Sequence, residues 1–244
     1  MEIIYNKGTK RLIDNDEANL QVRGAVTFLD VLGWKGIWQD IKHEKNEESP
    51  IKKLTRLIRN IKKHAEEVVV NYGPSGLQRG KDFEVEILSI SDTIVFFTEG
   101  MPEKTIAIHC DLCAWTINEA LKMGFPLRGA ISYGVYDHND SIMIGPAVDE
   151  AASWHESTDW IGVILTPSAF FELKGKKPVN VEKYERIPYK KAIKGTEWCV
   201  DWGYEGCKNN EDIYSVFSSR GPLMQEVAPK YLNTLAFLDR DKNT

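Results

Sequence analysis

Two apolar, β-rich runs, 28–34 and 89–97, each carry one carboxylate where a strand would be buried. Asp30 lies in Phe28-Leu29-Asp30-Val31-Leu32-Gly33-Trp34, and Asp92 in Ser89-Ile90-Ser91-Asp92-Thr93-Ile94-Val95-Phe96-Phe97. Burying an ionised carboxylate without compensation is costly, so the fold must give each group hydrogen-bond donors or bring both to a shared cation. A divalent metal ion between the two aspartates is the sharper reading. Separate turn or cap residues are the plainer one, and spacing alone does not choose between them.

A chain of 244 residues, 42% hydrophobic and 27% charged, has an ordinary globular composition and is long enough for one substantial core. The expected organisation is a single domain over 1–244, with a core of about 22–173 and a C-terminal extension over 174–244. A formal charge of −5 and a pI near 5.6 give no electrostatic footprint for nucleic acid. No apolar run approaches the roughly 20 residues that span a bilayer, and the first residues lack a signal-peptide core, so no membrane partner and a cytoplasmic location are expected. Cys110 and Cys113 form a C-x-x-C pair inside a helical pattern, and Cys199 and Cys207 lack zinc-site spacing; reduced structural thiols are expected.

Val22 to Asp30 reads as a buried strand leading to a turn at Gly33. Pro50 opens a helix whose apolar positions Ile51, Leu54, Leu57, Ile58, Ile61, Ala65 and Val68 recur at helical spacing. Its other face carries Lys52, Lys53, Arg56, Arg59, Lys62 and Lys63, read as a solvated stripe because no aromatic residues interleave for base stacking. Strands over Phe83 to Ile90 and Thr93 to Thr98 meet around Ser91-Asp92. A helix over Glu103 to Met123 and a strand over Leu127 to Tyr136 follow. Asp137 to Asp140 reads as a turn and Ser141 to Ile144 as a short strand; then come a helix from Gly145-Pro146 to His155, a strand over Ile161 to Leu165 and a short helix after Pro167. This order predicts an α+β fold: a ferredoxin-like mixed sheet with helices packed on it. His109, His138 and His155 read as surface or helix residues. From Lys174 onward the pattern weakens, and the aromatic tail is expected to cover the sheet or enter a subunit contact.

If Asp30 and Asp92 lie on adjacent strands, their oxygens suit Mg²⁺ or Mn²⁺, whose usual companion is a triphosphate. Backbone N–H groups of Val31, Leu32, Gly33 and Trp34 form a candidate anion-binding concavity beside the metal.

The first run resembles the first metal-binding motif of class III nucleotidyl cyclases, and Ser91-Asp92 sits where that family has its second metal aspartate. Arg128-Gly129-Ala130-Ile131-Ser132-Tyr133-Gly134 is similar to the family's central strand motif, and Gly145-Pro146-Ala147-Val148-Asp149-Glu150-Ala151-Ala152 to its glycine and helix start. The matches run in order from about Arg23 to Leu165. Departures matter equally. Where adenylyl cyclases read the purine edge with a lysine and an aspartate, this chain has Leu88 and Ile142; Asp149 replaces the family's asparagine, and Ser153 its transition-state arginine. These changes resemble the compact pyrimidine cyclases of bacterial Pycsar antiphage systems.

The resemblance implies a class III nucleotidyl cyclase-like fold and conversion of UTP, or CTP, to a 3′,5′-cyclic nucleotide with loss of pyrophosphate. It implies two Mn²⁺ or Mg²⁺ ions held by Asp30, Asp92 and the Val31 carbonyl, with Asp30, Asp92, Arg128 and Asp149 as candidate catalytic residues. Val31, Leu32, Gly33, Trp34, Leu88 and Ile142 would line the substrate. For Arg128 an ion pair at a strand end is an equal alternative, and Lys190, Lys191 and Lys194 are further candidate cations. A head-to-tail homodimer with sites at its interface and a separate cyclic-nucleotide effector are also implied. A catalytically inactive cyclase-homology module that binds nucleotide or a partner, and a purine cyclase, are the alternatives.

Overall fold

The computed structural model describes residues 22–33, 48–72, 83–139, 142–191, 193–203, 210–218 and 221–240. Its strands are β1 (Val22–Val31), β2 (Glu86–Ile90), β3 (Thr93–Glu99), β4 (Leu127–Asn139), β5 (Ile142–Ile144), β6 (Gly162–Leu165), β7 (Val181–Lys183) and β8 (Trp198–Val200). Its helices are α1 (Pro50–Tyr72), α2 (Pro102–Lys122), α3 (Pro146–Trp154), α4 (Pro167–Glu172), α5 (Asn210–Ser218) and α6 (Ala228–Leu238). Trp34, Asp140, Ser141 and Cys207, all part of the sequence reading, lie outside the described residues.

The unit β1-α1-β2-β3-α2-β4 folds into the sheet order β2-β3-β1-β4 with every neighbour antiparallel, which is the ferredoxin-like arrangement expected from the alternation of periods. β6 adds in parallel to β4, β8 and β7 extend the sheet beyond it, and β5 pairs only with the end of β4. The fold is thus α+β with an eight-stranded mixed sheet. The expected turn at Asp137 to Asn139 is instead strand. Those residues pair with Ile144, Met143 and Ile142, so cross-strand pairing overrides the local turn preference of Asp and Asn.

Strand parity divides the core. On β1, Ala25, Leu29 and Val31 join the large cluster that includes Leu57 and Ile61 of α1 and Ile106, Leu112 and Ile117 of α2. Val26 and Phe28, of opposite parity, join Val95, Phe97 and Tyr136 under Ala147, Val148 and Ala151 of α3. A Cβ at Gly129 would overlap the Phe28 carbonyl, so the approach of β4 to β1 beside Arg128 requires glycine.

The segment after residue 174 contributes more than an aromatic cover. It supplies β7 and β8 to the sheet, and α6 packs Phe237 edge-on to Trp160 at 4.9 Å and to Tyr184 at 5.2 Å. Cys110, Cys113 and Cys199 are buried free thiols, and burial raises the pKa of each. Among the described residues no helix is long and apolar enough to cross a membrane.

Candidate functional site

Asp30, the penultimate residue of β1, lies on the α3 side of the sheet and is 7% exposed. Antiparallel register sets Arg128, the second residue of β4, directly opposite it. The guanidinium donates to Asp30 Oδ2 twice, from Nε at 3.2 Å and from Nη2 at 3.1 Å. Arg128 Nη1 donates to the carbonyls of Thr158 at 3.3 Å and Glu156 at 3.5 Å, and Nη2 lies 3.4 Å from Glu156 Oε1. No described residue donates a hydrogen bond to Asp30 Oδ1.

Asp92 comes to this place through the β2–β3 turn. Ser91 takes φ 58°, and the chain then pairs Thr93 with Asp30. The Val31 amide donates to the Asp92 carbonyl at 3.0 Å, which fixes the turn against the end of β1. The two aspartates therefore share one end of adjacent strands. Burial raises the Asp30 carboxyl pKa above the usual carboxylate value; Arg128 opposes the shift, and the charges of Asp92 and Glu156 add to it. Asp30 thus interacts with two further carboxylates, while one guanidinium pairs with Asp30 and Glu156.

That excess of negative charge, with Asp30 Oδ1 accepting no hydrogen bond from a described residue, fits the hard divalent ions expected from the sequence. No group of three or more His, Cys, Asp or Glu side chains among the described residues would enclose a metal by itself. The two aspartates would need backbone and substrate oxygens to complete a shell.

The expected amide concavity is largely committed elsewhere. Besides Val31, whose N–H goes to Asp92, the Leu32 amide donates to the Pro126 carbonyl at 2.8 Å. Gly33 remains, in the left-handed region at φ 77°, and Trp34 lies outside the described residues. Turn closure spends these amides on the protein itself.

The remaining candidates spread along the same sheet face. Asp149 is exposed in the first turn of α3 and makes no ion pair among the described residues. Ser153, also exposed, donates its hydroxyl to the Glu150 carbonyl at 2.8 Å. Leu88 on β2 packs against the Val26–Phe28 cluster, as does Met143 beside Ile142, and His138 on β4 pairs with Glu86 of β2 at 3.1 Å. These contacts bring the β4–β5 hairpin toward β2, with Ile142 itself 67% exposed.

Sequence reasoning missed Glu156 and gave His155 no role at the site. The His155 ring sits 5.9 Å from that of Phe28, and its Nδ1–H donates to the Ala152 carbonyl at 2.6 Å. Both residues fall in the irregular stretch after α3, where no periodicity marks them. His109, read from sequence as a surface or helix residue, is a helix residue but not a surface one. It is on α2 but fully buried, bonded to Thr27 Oγ1 at 2.7 Å and Thr98 Oγ1 at 3.0 Å. His138 is in a strand, half-buried against Phe97. Of the late lysines, Lys190 reaches the site margin through its backbone N–H, which donates to the Ser157 carbonyl at 2.9 Å.

No family model and no curated protein matches this chain. Among solved structures, the adenylyl cyclase CyaB from P. aeruginosa is similar, with 12% identity, a TM-score of 0.45, and coverage of 74% of this chain and 94% of that one. The guanylate cyclase domain of RhGC from Catenaria anguillulae in complex with GTP gives 14% identity and a TM-score of 0.43 over 74% of this chain and 96% of that one. The catalytic core of a rhodopsin-guanylyl cyclase with converted specificity, in complex with ATPalphaS, gives 15% and 0.40, covering 74% and 96%.

Proposed function

We propose that this chain is a nucleotidyl cyclase that converts a pyrimidine nucleoside triphosphate, UTP in preference to CTP, to the 3′,5′-cyclic nucleotide and pyrophosphate, as a signal in antiphage defence in the cytoplasm. The observation that carries the reading is the convergence of Asp30 and Asp92 at one end of β1 and β3, with Asp30 Oδ1 accepting no hydrogen bond from a described residue. Asp30, Asp92 and the Val31 carbonyl would hold two Mg²⁺ or Mn²⁺ ions. When bound, these would supply Lewis acidity at the α-phosphate and neutralise charge on the departing phosphates.

The chain's own residues do the rest. Arg128 pairs with Asp30 Oδ2 and also reaches Glu156. Phe28 and His155 wall the site on the α3 side, and the Gly33 amide is available to a phosphate oxygen. Leu88 and Ile142 offer apolar contact where a purine would need hydrogen-bond partners at its edge. Asp149, exposed on α3, would complete the site of a second protomer in a head-to-tail homodimer. Exposed Ile90, Ile142 and Ile144, at 49%, 67% and 60%, supply apolar area for that contact.

Incubating the purified protein with each common nucleoside triphosphate and Mn²⁺, then separating the products, tests the reading. Cyclic UMP or cyclic CMP is expected, and specific activity should fall on dilution below the dimer's Kd. No cyclic product from any substrate would eliminate the enzyme; a cyclic purine nucleotide alone would move the assignment to purine chemistry. One observation favours an inactive nucleotide-binding or partner-binding module instead: Ser153, standing where the resembled family has arginine, is an exposed hydroxyl bonded to its own helix.

A further inference from the structure

Arg128 is shared unevenly between two carboxylates. Its Nε and Nη2 both donate to Oδ2 of buried Asp30, while Glu156, more than half exposed, receives Nη2 at 3.4 Å. The Thr158 and Glu156 carbonyls grip the remaining nitrogen, so the guanidinium is anchored in depth whichever carboxylate it favours. The loop that does this is fastened from the C-terminal segment. Lys190 N–H donates to the Ser157 carbonyl at 2.9 Å, Asp159 N–H to the Pro188 carbonyl at 2.9 Å, and Thr158 bridges to Tyr189. Tyr189 is held in turn by its hydroxyl on the Thr196 carbonyl at 2.7 Å and by the Trp154 ring.

We infer that Arg128 and a divalent cation are alternative counter-ions of Asp30, and that Glu156 is the carboxylate that receives Arg128 when the cation takes its place. A buried ionised carboxylate needs hydrogen-bond donors or a cation, because an uncompensated buried charge is expensive. In this structure the guanidinium meets that need. A dication arriving at the same oxygens repels it over a few ångströms, and a second carboxylate within reach of Nη2 lets the guanidinium turn away without losing its ion pair. The carbonyls of Glu156 and Thr158 act as the pivot. The C-terminal segment, by fixing 157–159, sets where that pivot lies, which gives residues 187–190 a role in metal affinity without contact with the metal. Arg128, Glu156 and Tyr189 are thus positioning residues.

The inference rests on the metal reading of Asp30 and Asp92, and it predicts opposite responses from two neighbouring substitutions. Mn²⁺ affinity is read directly from the electron paramagnetic resonance signal of free Mn²⁺ in titrations of the full chain, with metal-free melting temperatures recorded beside it. Arg128→Gln removes the competitor and should tighten Mn²⁺ binding roughly tenfold, while Glu156→Gln removes the receiving carboxylate and should weaken it by a similar factor. Arg128→Lys should fall between wild type and Arg128→Gln, and it serves as the readout if Arg128→Gln does not fold. Tyr189→Ala should weaken binding while Tyr189→Phe stays close to wild type.

A purely structural Arg128 would move both substitutions in one direction, toward weaker binding and lower melting temperature. That outcome overturns the inference. Unchanged affinity in Glu156→Gln overturns it as well. A wild-type chain that binds no Mn²⁺, or an Asp30→Asn variant that binds it as well as wild type, would overturn the metal reading itself.

Discussion

β1 carries two buried polar groups three residues apart, and opposite strand faces give them opposite characters. Thr27 points to the helical layer and closes a neutral network: His109 lies between its hydroxyl and that of Thr98, with no solvent exposure. Asp30 points to the α3 side, where it feels the charges of Asp92 and Glu156 beside one guanidinium, and its Oδ1 accepts no hydrogen bond from a described residue. Each polar atom of the first network has a partner within the core; the second has surplus charge. A satisfied buried network specifies packing, whereas an unbalanced one at the end of strands is open to a ligand. His109 thus serves the fold, whereas Asp30 keeps the charge that the proposed function uses.

The largest expected effect falls on the charged face alone. Asp92→Ala should reduce cyclic product to background, with Mn²⁺ binding lost and the melting temperature near that of wild type, because Asp92 is only half-buried in a turn. Retained turnover would break the distinction between the faces. On the neutral face, Thr27→Val leaves the His109 ring nitrogen without its partner and should cost about 1–3 kcal/mol in urea unfolding, with the Mn²⁺ Kd unchanged.

The same face predicts a pH dependence. Burial lowers the His109 pKa to about 3 from its ordinary 6.5, so at intermediate pH the unfolded chain binds a proton that the native chain refuses. Stability is fully present above about 6.5 and is lost as pH falls toward 3, at up to about 1.4 kcal/mol per unit from this group. Denaturation midpoints across that range in wild type and in His109→Gln should diverge, with the variant less steep; parallel curves would remove His109 as the cause. The smallest effect belongs to neither network: Arg59→Glu on the exposed stripe of α1 should shift the melting temperature by no more than about 2 °C and leave nucleotide turnover unchanged.

Much of the fold is legible in the chain because its elements announce themselves locally. Pro50, Pro102, Pro146 and Pro167 each stand at a helix start, and the periods of α1 and of β1 give their ends to within a residue or two. Asp30 stands out as a carboxylate in a strand, and Ser91-Asp92 as a turn. The late strands β7 and β8 are three residues each, too short to carry a pattern, and they form only because β6 offers an edge. The amides of Val31 and Leu32 look available in sequence, yet their acceptors, Asp92 and Pro126, lie some 60 and 94 positions away. Glu156 has no local signal at all.

The sequence by itself determined the element types and their order from β1 to α4, the α+β class, and the requirement that a buried Asp30 be compensated by hydrogen-bond donors or a cation. These follow from side-chain period and from the cost of a buried carboxylate, which depend on neighbours in the chain. Only the tertiary structure decided that Arg128, 98 residues away, meets that need, that Glu156 shares it, and that His109 belongs to the core. Those outcomes depend on strand order and cross-strand register, which bring together groups that no local pattern relates.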